Sequence, residues 1–183
     1  MRAVLASGNA HKLGELRAAL PGWELELLGA AEYPPEEGPG YYDNALGKAR
    51  FGRSLAGGEA WVLGEDSGIE AAGLGGRPGV ESARWADDGV AQLLHELAGV
   101  ADRRARYVCE LVALGPDGEE VRASGTLDGE IARERRGSEG FGYDPIFVPA
   151  GETRTVAELG DDWKARHSHR ARAAAALRRA LEE

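Results

Sequence analysis

Glu65-Asp66-Ser67-Gly68 places two acids and a hydroxyl directly after an apolar run, supplying hard oxygen ligands suited to a hard cation such as Mg²⁺. Strand alternation sends Glu65 and Asp66 to opposite faces, so only one of them need face a reaction site. Asp-Ser-Gly is equally common turn chemistry. Glu36 and Glu37, in a stretch without periodicity, complete a metal site if the fold brings them near. Ser7-Gly8-Asn9 has the residue types of a strand-to-helix turn, which either presents free amides to a phosphate or is there for steric reasons. Lys12, one turn further on, reaches the same anion or sits on a solvated helix face. Phe141-Gly142-Tyr143-Asp144 joins aromatic rings to a carboxylate, a surface on which a nucleobase stacks or a piece of core filling. Lys164 and Ser168 are four apart on one helix face, and His169-Arg170 open the final helix. A surface helix accounts for each of these separately.

The elements that must position these residues follow from apolar spacing. Arg2–Ala6 reads as a short buried strand. The next helix carries Leu13, Leu16 and Leu20 and stops at Pro21-Gly22. Trp23–Leu28 alternates as a strand, whereas Glu32 to Gly40, rich in proline, glycine and glutamate, is irregular. A helix over Tyr42–Leu55 precedes a strand at Ala60–Gly64, which delivers Glu65, Asp66 and Ser67 to a sheet edge or cleft. Leu74 to Gly79 is a glycine-rich loop, and Asp87-Asp88 begins a helix with Val90, Leu93, Leu94 and Leu97 on its apolar side. Arg104–Leu114 and Glu119–Ala132 form a hairpin around Gly115-Pro116-Asp117-Gly118. A short strand at Ile146–Val148 and a helical remainder, broken at Leu159-Gly160 and ending in a helix over Ala171–Leu181, complete the chain. This order predicts an α/β fold built on a mixed, twisted sheet with flanking helices, not a doubly wound one.

Composition narrows the function classes. A chain of 183 residues is long enough for one well-cored domain, and we read 1–183 as a single unit. The net charge of −9 argues against wrapping a nucleic-acid polymer, while leaving a metal-bound small anion compatible. Basic residues between Arg154 and Arg179 either steer such an anion or form a solvated helix face. No apolar run approaches the roughly 20 residues of a membrane span. Residues 1–6 are too brief for the apolar part of a signal peptide. With a single cysteine, Cys109, no internal disulfide forms; its apolar neighbours make it a packing residue, and a cytoplasmic location is expected.

Taken in order, these segments resemble the inosine/xanthosine triphosphate pyrophosphatase family, which hydrolyses non-canonical purine nucleoside triphosphates. The resemblance spans residues 4 to 170. It rests on Ala6-Ser7-Gly8-Asn9 with Lys12 and Glu15, Asp43-Asn44-Ala45 with Lys48 and Ala49, and Asp66-Ser67-Gly68. It continues through Gly76 to Arg84, Gly140-Phe141-Gly142-Tyr143-Asp144-Pro145, and Ser168-His169-Arg170. No single segment is decisive, but their joint order makes coincidence improbable.

The resemblance implies two lobes enclosing a nucleotide cleft, assembled as a homodimer, and Mg²⁺-assisted attack of water on the α-phosphorus to give a monophosphate and pyrophosphate. It implies that Asp66 and Lys12 form the catalytic pair, Asp66 activating water or binding the metal, with Glu36 assisting at the metal. Ser7, Gly8, Asn9, Ala10, His11, Lys12 and Lys48 would hold the polyphosphate, and Ser67 would touch the nucleotide. Phe141, Gly142, Tyr143 and Asp144 would bracket the base, and Lys164, His169 and Arg170 would meet its polar edge. The chain departs from the pattern at Glu65, where aspartate is usual, at Glu37 to Tyr41, and at Asp43, which we read as a helix cap. The rival readings are a Maf-like pyrophosphatase of other specificity, a nucleotide sensor without turnover, and a purely structural acidic domain.

Overall fold

The computed structural model describes residues 1–182. Six strands, β1 (Arg2–Leu5), β2 (Glu24–Leu27), β3 (Trp61–Ala71), β4 (Arg104–Leu114), β5 (Glu120–Ile131) and β6 (Phe147–Pro149), form one sheet of order β2-β1-β3-β4-β5-β6. β1 runs parallel to both β2 and β3, while β5 and β6 are antiparallel, so the sheet is mixed as expected. The helices are α1 (Ala10–Ala19), α2 (Tyr41–Leu55), α3 (Gly89–Glu96), α4 (Val156–Leu159), α5 (Asp161–His167) and α6 (His169–Glu182). None of them, within the described residues, is long and apolar enough to cross a membrane.

The chain divides into two compact units. The first comprises Met1–Asp66, Cys109–Gly125 and Arg170–Glu183. Its main core joins Leu5 and Leu63 of the sheet to Leu13 and Leu16 of α1 and to Ala173, Ala174 and Leu177 of α6. A smaller cluster gathers Ala45, Leu46 and Ala49 of α2 with Val112 and Leu114. The second unit, Ser67–Val108 with Thr126–His169, is built around Ile69, Leu93, Leu97, Tyr107, Ile131 and Phe147.

β1 lies between β2 and β3, with the next strand in sequence on one side and the one after it on the other. The C-terminal ends of such parallel strands, where the connections diverge, are where α/β sheets place ligands. The segment Ser7-Gly8-Asn9 leaves β1 at that end. Leu5 is in register with Leu63, and Ser7 N then turns back to donate to the Leu5 carbonyl at 2.9 Å.

β3 departs from expectation. It does not end at Gly64 but continues to Ala71, so Glu65 and Asp66 sit in the middle of a strand inside the sheet. Gly64 and Gly68 look like turn residues, but Gly64 is small because a helix lies on it. A Cβ there would run into the Ala45 carbonyl and stand 2.6 Å from the Ala49 backbone nitrogen. Asp43 also differs from its reading as a cap: α2 begins at Tyr41 with Gly40 as its N-cap, leaving Asp43 in the first turn.

Candidate active site

Asp66 shares a face of β3 with Gly64, and that face is covered by α2. Asn44 and Lys48, one helical turn apart, therefore point at the same carboxylate. Asn44 Nδ2 donates to Asp66 Oδ2 at 3.0 Å, and Lys48 Nζ donates to Asp66 Oδ1 at 3.2 Å and to the Glu65 carbonyl at 3.0 Å. Lys48 is also ion-paired with Glu36. Glu36 reaches it from the irregular stretch before α2, which Asn44 ties down by accepting from Gly38 N at 2.8 Å. Gly38 has to be glycine for this: a Cβ would stand 2.6 Å from Asn44 Oδ1.

The electrostatics of this cluster follow from its burial. Burial pushes the Asp66 carboxyl above its usual range; Lys48 and Asn44 pull it down without cancelling that rise, to which Glu36 and Glu65 add. Burial works against the Lys48 ammonium, but Asp66 and Glu36 outweigh it and hold the lysine above its ordinary range. Two carboxylates and one ammonium leave a net charge of −1, which favours a further cation.

Glu65 points to the opposite face, as alternation requires, toward α1 and α6. Its Oε1 accepts from Arg170 Nε at 3.1 Å and Nη2 at 2.9 Å, and its Oε2 is 2.7 Å from Lys12 Nζ. Arg170 is also paired with Glu15, and Cys109 Sγ donates to Glu65 Oε1 at 3.4 Å. Burial alone would raise the Glu65 carboxyl, yet Arg170 and Lys12 hold it well below the carboxylate range. For Cys109 burial acts in the same direction as the Glu65 charge, and the thiol is pushed well up. It is an inert core residue rather than a nucleophile.

At the start of α1, Asn9 is the N-cap, its side chain accepting from His11 N at 2.9 Å and Lys12 N at 3.2 Å. Ser7 Oγ accepts from Asn9 N at 3.1 Å. A phosphate arriving at this turn meets exposed Gly8, Ala10 and His11, with two of the amides already engaged by Asn9. Ser67, half-buried, follows Asp66 in β3.

The aromatic segment belongs to the second unit. Asp144 is buried and accepts from Lys164 Nζ at 2.6 Å, Tyr107 Oη at 3.1 Å and Phe141 N at 2.9 Å. Gly140, at φ +75°, brings the chain so close that a Cβ would strike the Asp144 carboxylate. Lys164 Nζ stands 4.1 Å from the centroid of the Phe141 ring. Tyr143 faces inward, donating to the Ser82 carbonyl at 2.8 Å, and burial pushes its phenol up to about 12. Gly142 is exposed and Phe141 half-buried, while Tyr143 is buried. His169 is buried with its ring stacked on Tyr107 at 4.5 Å.

The first unit thus brings Lys12, Lys48, Glu36, Glu65, Asp66 and Arg170 into two adjoining ion clusters, while Phe141, Tyr143, Asp144, Lys164 and His169 form a separate group in the second. Asn44 and Tyr107 were given no role from sequence. Asn44 carried a signal, since asparagine is disfavoured inside helices and this one lies one turn before Lys48. Tyr107 carried none.

Among known proteins, a model of the Ham1 family matches residues 3–180. A dITP/XTP pyrophosphatase of Symbiobacterium thermophilum is 46% identical over 190 residues, covering 99% of this chain and 93% of that protein. Another, from Deinococcus deserti, is 41% identical and covers 98% of this chain and 89% of its own length. The solved structure of the Staphylococcus aureus Ham1 protein matches with a TM-score of 0.85 at 34% identity, covering 100% of this chain and 98% of that one. The matched stretch contains both ion clusters and the aromatic segment, and this chain belongs to the Ham1 family.

Proposed function

We propose that this chain is a Mg²⁺-dependent nucleoside-triphosphate pyrophosphatase that hydrolyses ITP, dITP and XTP to the monophosphate and pyrophosphate, clearing non-canonical purines from the cytoplasmic nucleotide pool as a homodimer. The observation that carries this reading is the convergence of Asp66 and Glu36 on Lys48. Their net charge of −1, set beside Lys12 and the turn after β1, suits a polyphosphate arriving with its cation. Full-length relatives that carry the dITP/XTP pyrophosphatase name add support.

Mg²⁺ commonly takes one or two carboxylates and fills its remaining positions with water and substrate phosphates. Asp66 and Glu36 fit that demand, being hard oxygen donors drawn to one point. Among the described residues, no group of three or more His, Cys, Asp or Glu side chains forms a closed metal cage. When bound, the ion would offset charge on the phosphates and the leaving pyrophosphate.

The chain's own residues do the rest. Lys12 and Lys48 hold the polyphosphate, aided by Ser7, Gly8, Asn9, Ala10 and His11, and Ser67 contacts the nucleotide. Asp66 orients the attacking water. A carboxylate bound directly to Mg²⁺ is a poor proton acceptor, so Asp66 serves as ligand or as base, not both in one step. Phe141 supplies a stacking face, with Gly142, Tyr143 and Asp144 shaping its surroundings, and Lys164 and His169 set the polar edge of base recognition, whereas Arg170, which the resemblance also puts at that edge, is buried and engaged by Glu65 and Glu15. Pyrophosphate release from a panel of purine triphosphates tests this function.

A further inference from the structure

Glu65 has no exposed surface, and its two oxygens are used differently. Oε1 takes both Arg170 donors, at 3.1 and 2.9 Å, while Oε2 is left to Lys12 Nζ at 2.7 Å. Arg170 is itself held from the other side by Glu15. Glu15, Arg170, Glu65 and Lys12 thus form a charge-balanced chain that ends at the ammonium one turn inside α1. Asp66 and its partners Asn44 and Lys48 lie on the opposite face of β3. A metal held by Asp66 and Glu36 is out of line with the Glu65 carboxylate, which would have to leave a dry ion pair to reach it.

We propose that Glu65 is a positioning residue that fixes the Lys12 ammonium for polyphosphate binding, acting through Lys12 and not through the metal. The 2.7 Å ion pair with Glu65 Oε2 holds the Lys12 ammonium at one place. Holding the long stem in place before the ligand arrives removes an ordering cost from binding. Arg170, by occupying Oε1, keeps Oε2 turned to Lys12. The inference rests on the polyphosphate role given to Lys12 above.

The test uses inorganic tripolyphosphate with Mg²⁺, measured by calorimetry on the full chain, in wild type, Glu65→Gln, Glu65→Asp, Lys12→Met and each double variant. We expect Glu65→Gln to weaken tripolyphosphate binding by about tenfold, the scale of one lost charge-assisted contact. Glu65→Asp, which keeps the charge but loses reach, should weaken it less. Both losses should vanish in the Lys12→Met background, and the Mg²⁺ concentration giving half-maximal binding should be unchanged. If Glu65→Gln does not fold, Glu65→Asp with its double variant gives the same reading. Undiminished losses in the Lys12→Met background, a raised Mg²⁺ requirement at unchanged tripolyphosphate affinity, wild-type affinity in the Glu65 variants, or no binding by wild type would each overturn the proposal. Tripolyphosphate has no base: if it binds as stated while ITP is not hydrolysed, the substrate reading fails and this one stands.

Discussion

Glu65 and Asp66 are consecutive residues of one strand, yet their carboxylates belong to separate ion clusters: Glu65 meets Arg170 at 2.9 Å and Lys12 at 2.7 Å, and Asp66 meets Lys48 at 3.2 Å. The period-two alternation of β3 causes this division, because each residue faces a different layer of helices. Substitutions at the two positions should therefore differ in kind, one affecting turnover and the other both the integrity of the first unit and the placing of Lys12.

Asp66→Asn keeps the size of the side chain and a partner for Asn44 or Lys48, so the fold should persist. Turnover should fall by at least about a hundredfold, within the range contributed by a positioned acid or base. Pyrophosphate release and thermal denaturation, measured on the same preparation, check both parts. Near-normal rates would remove Asp66 from the mechanism.

Glu65→Gln leaves Arg170, itself 2% exposed, without its main counter-charge. Breaking one side of a buried pair typically costs about 3–5 kcal/mol, which chemical denaturation at neutral pH would detect. The same group sets an acid limit. Its folded-state pKa lies well below the unfolded value near 4.5, so the unfolded chain takes up the proton first as pH drops. The stabilisation is fully present above that value and is lost as pH falls below it toward the folded pKa. Between pH 7 and 5 this group should cause no change, and the decline below pH 4.5 should be shallower in Glu65→Gln.

Gly64→Ala tests packing without altering any polar group. The new methyl would collide with the Ala45 carbonyl and lie 2.6 Å from Ala49 N, so α2 must shift off β3. Overpacking of this kind costs about 1–3 kcal/mol. Because α2 carries Asn44 and Lys48, activity should fall along with the melting temperature. A variant with full activity and lowered stability would show that the helix can move without misplacing those side chains.

The two ion clusters were only partly legible in the sequence. Leucine spacing fixed α1, and glycine and proline marked its end, since those signals are local. The irregular run before α2 was also evident, because proline and glycine interrupt any period. β3 was misread because Gly64 serves a helix packed onto the strand, a tertiary cause with no local mark. Lys48 with Asn44 follows from helical spacing, but Arg170 lies 105 residues from Glu65, and nothing in either neighbourhood points to the other. The burial of Tyr143 and Asp144 was likewise hidden, since an aromatic ring beside a carboxylate reads equally as binding surface or core.

Metal removal should separate chemistry from architecture. Asp66 and Glu36 are already held by Lys48 and Asn44, so a chelator should abolish turnover while leaving the melting temperature within a degree or two, on the order of the scatter of a surface change. Glu36→Gln should raise the Mg²⁺ concentration needed for half-maximal activity. Calorimetry with and without EDTA checks the first statement, and a Mg²⁺ titration of activity the second. Melting that tracks chelation would show that the ion holds the first unit together.

The pyrophosphatase function is tested most directly by what the purified protein does to purine triphosphates. With Mg²⁺ present, it should release pyrophosphate from ITP, dITP and XTP far faster than from ATP or GTP, leaving the monophosphates as the other product. Equal rates on all five, release of orthophosphate instead, or tight binding without turnover would contradict it.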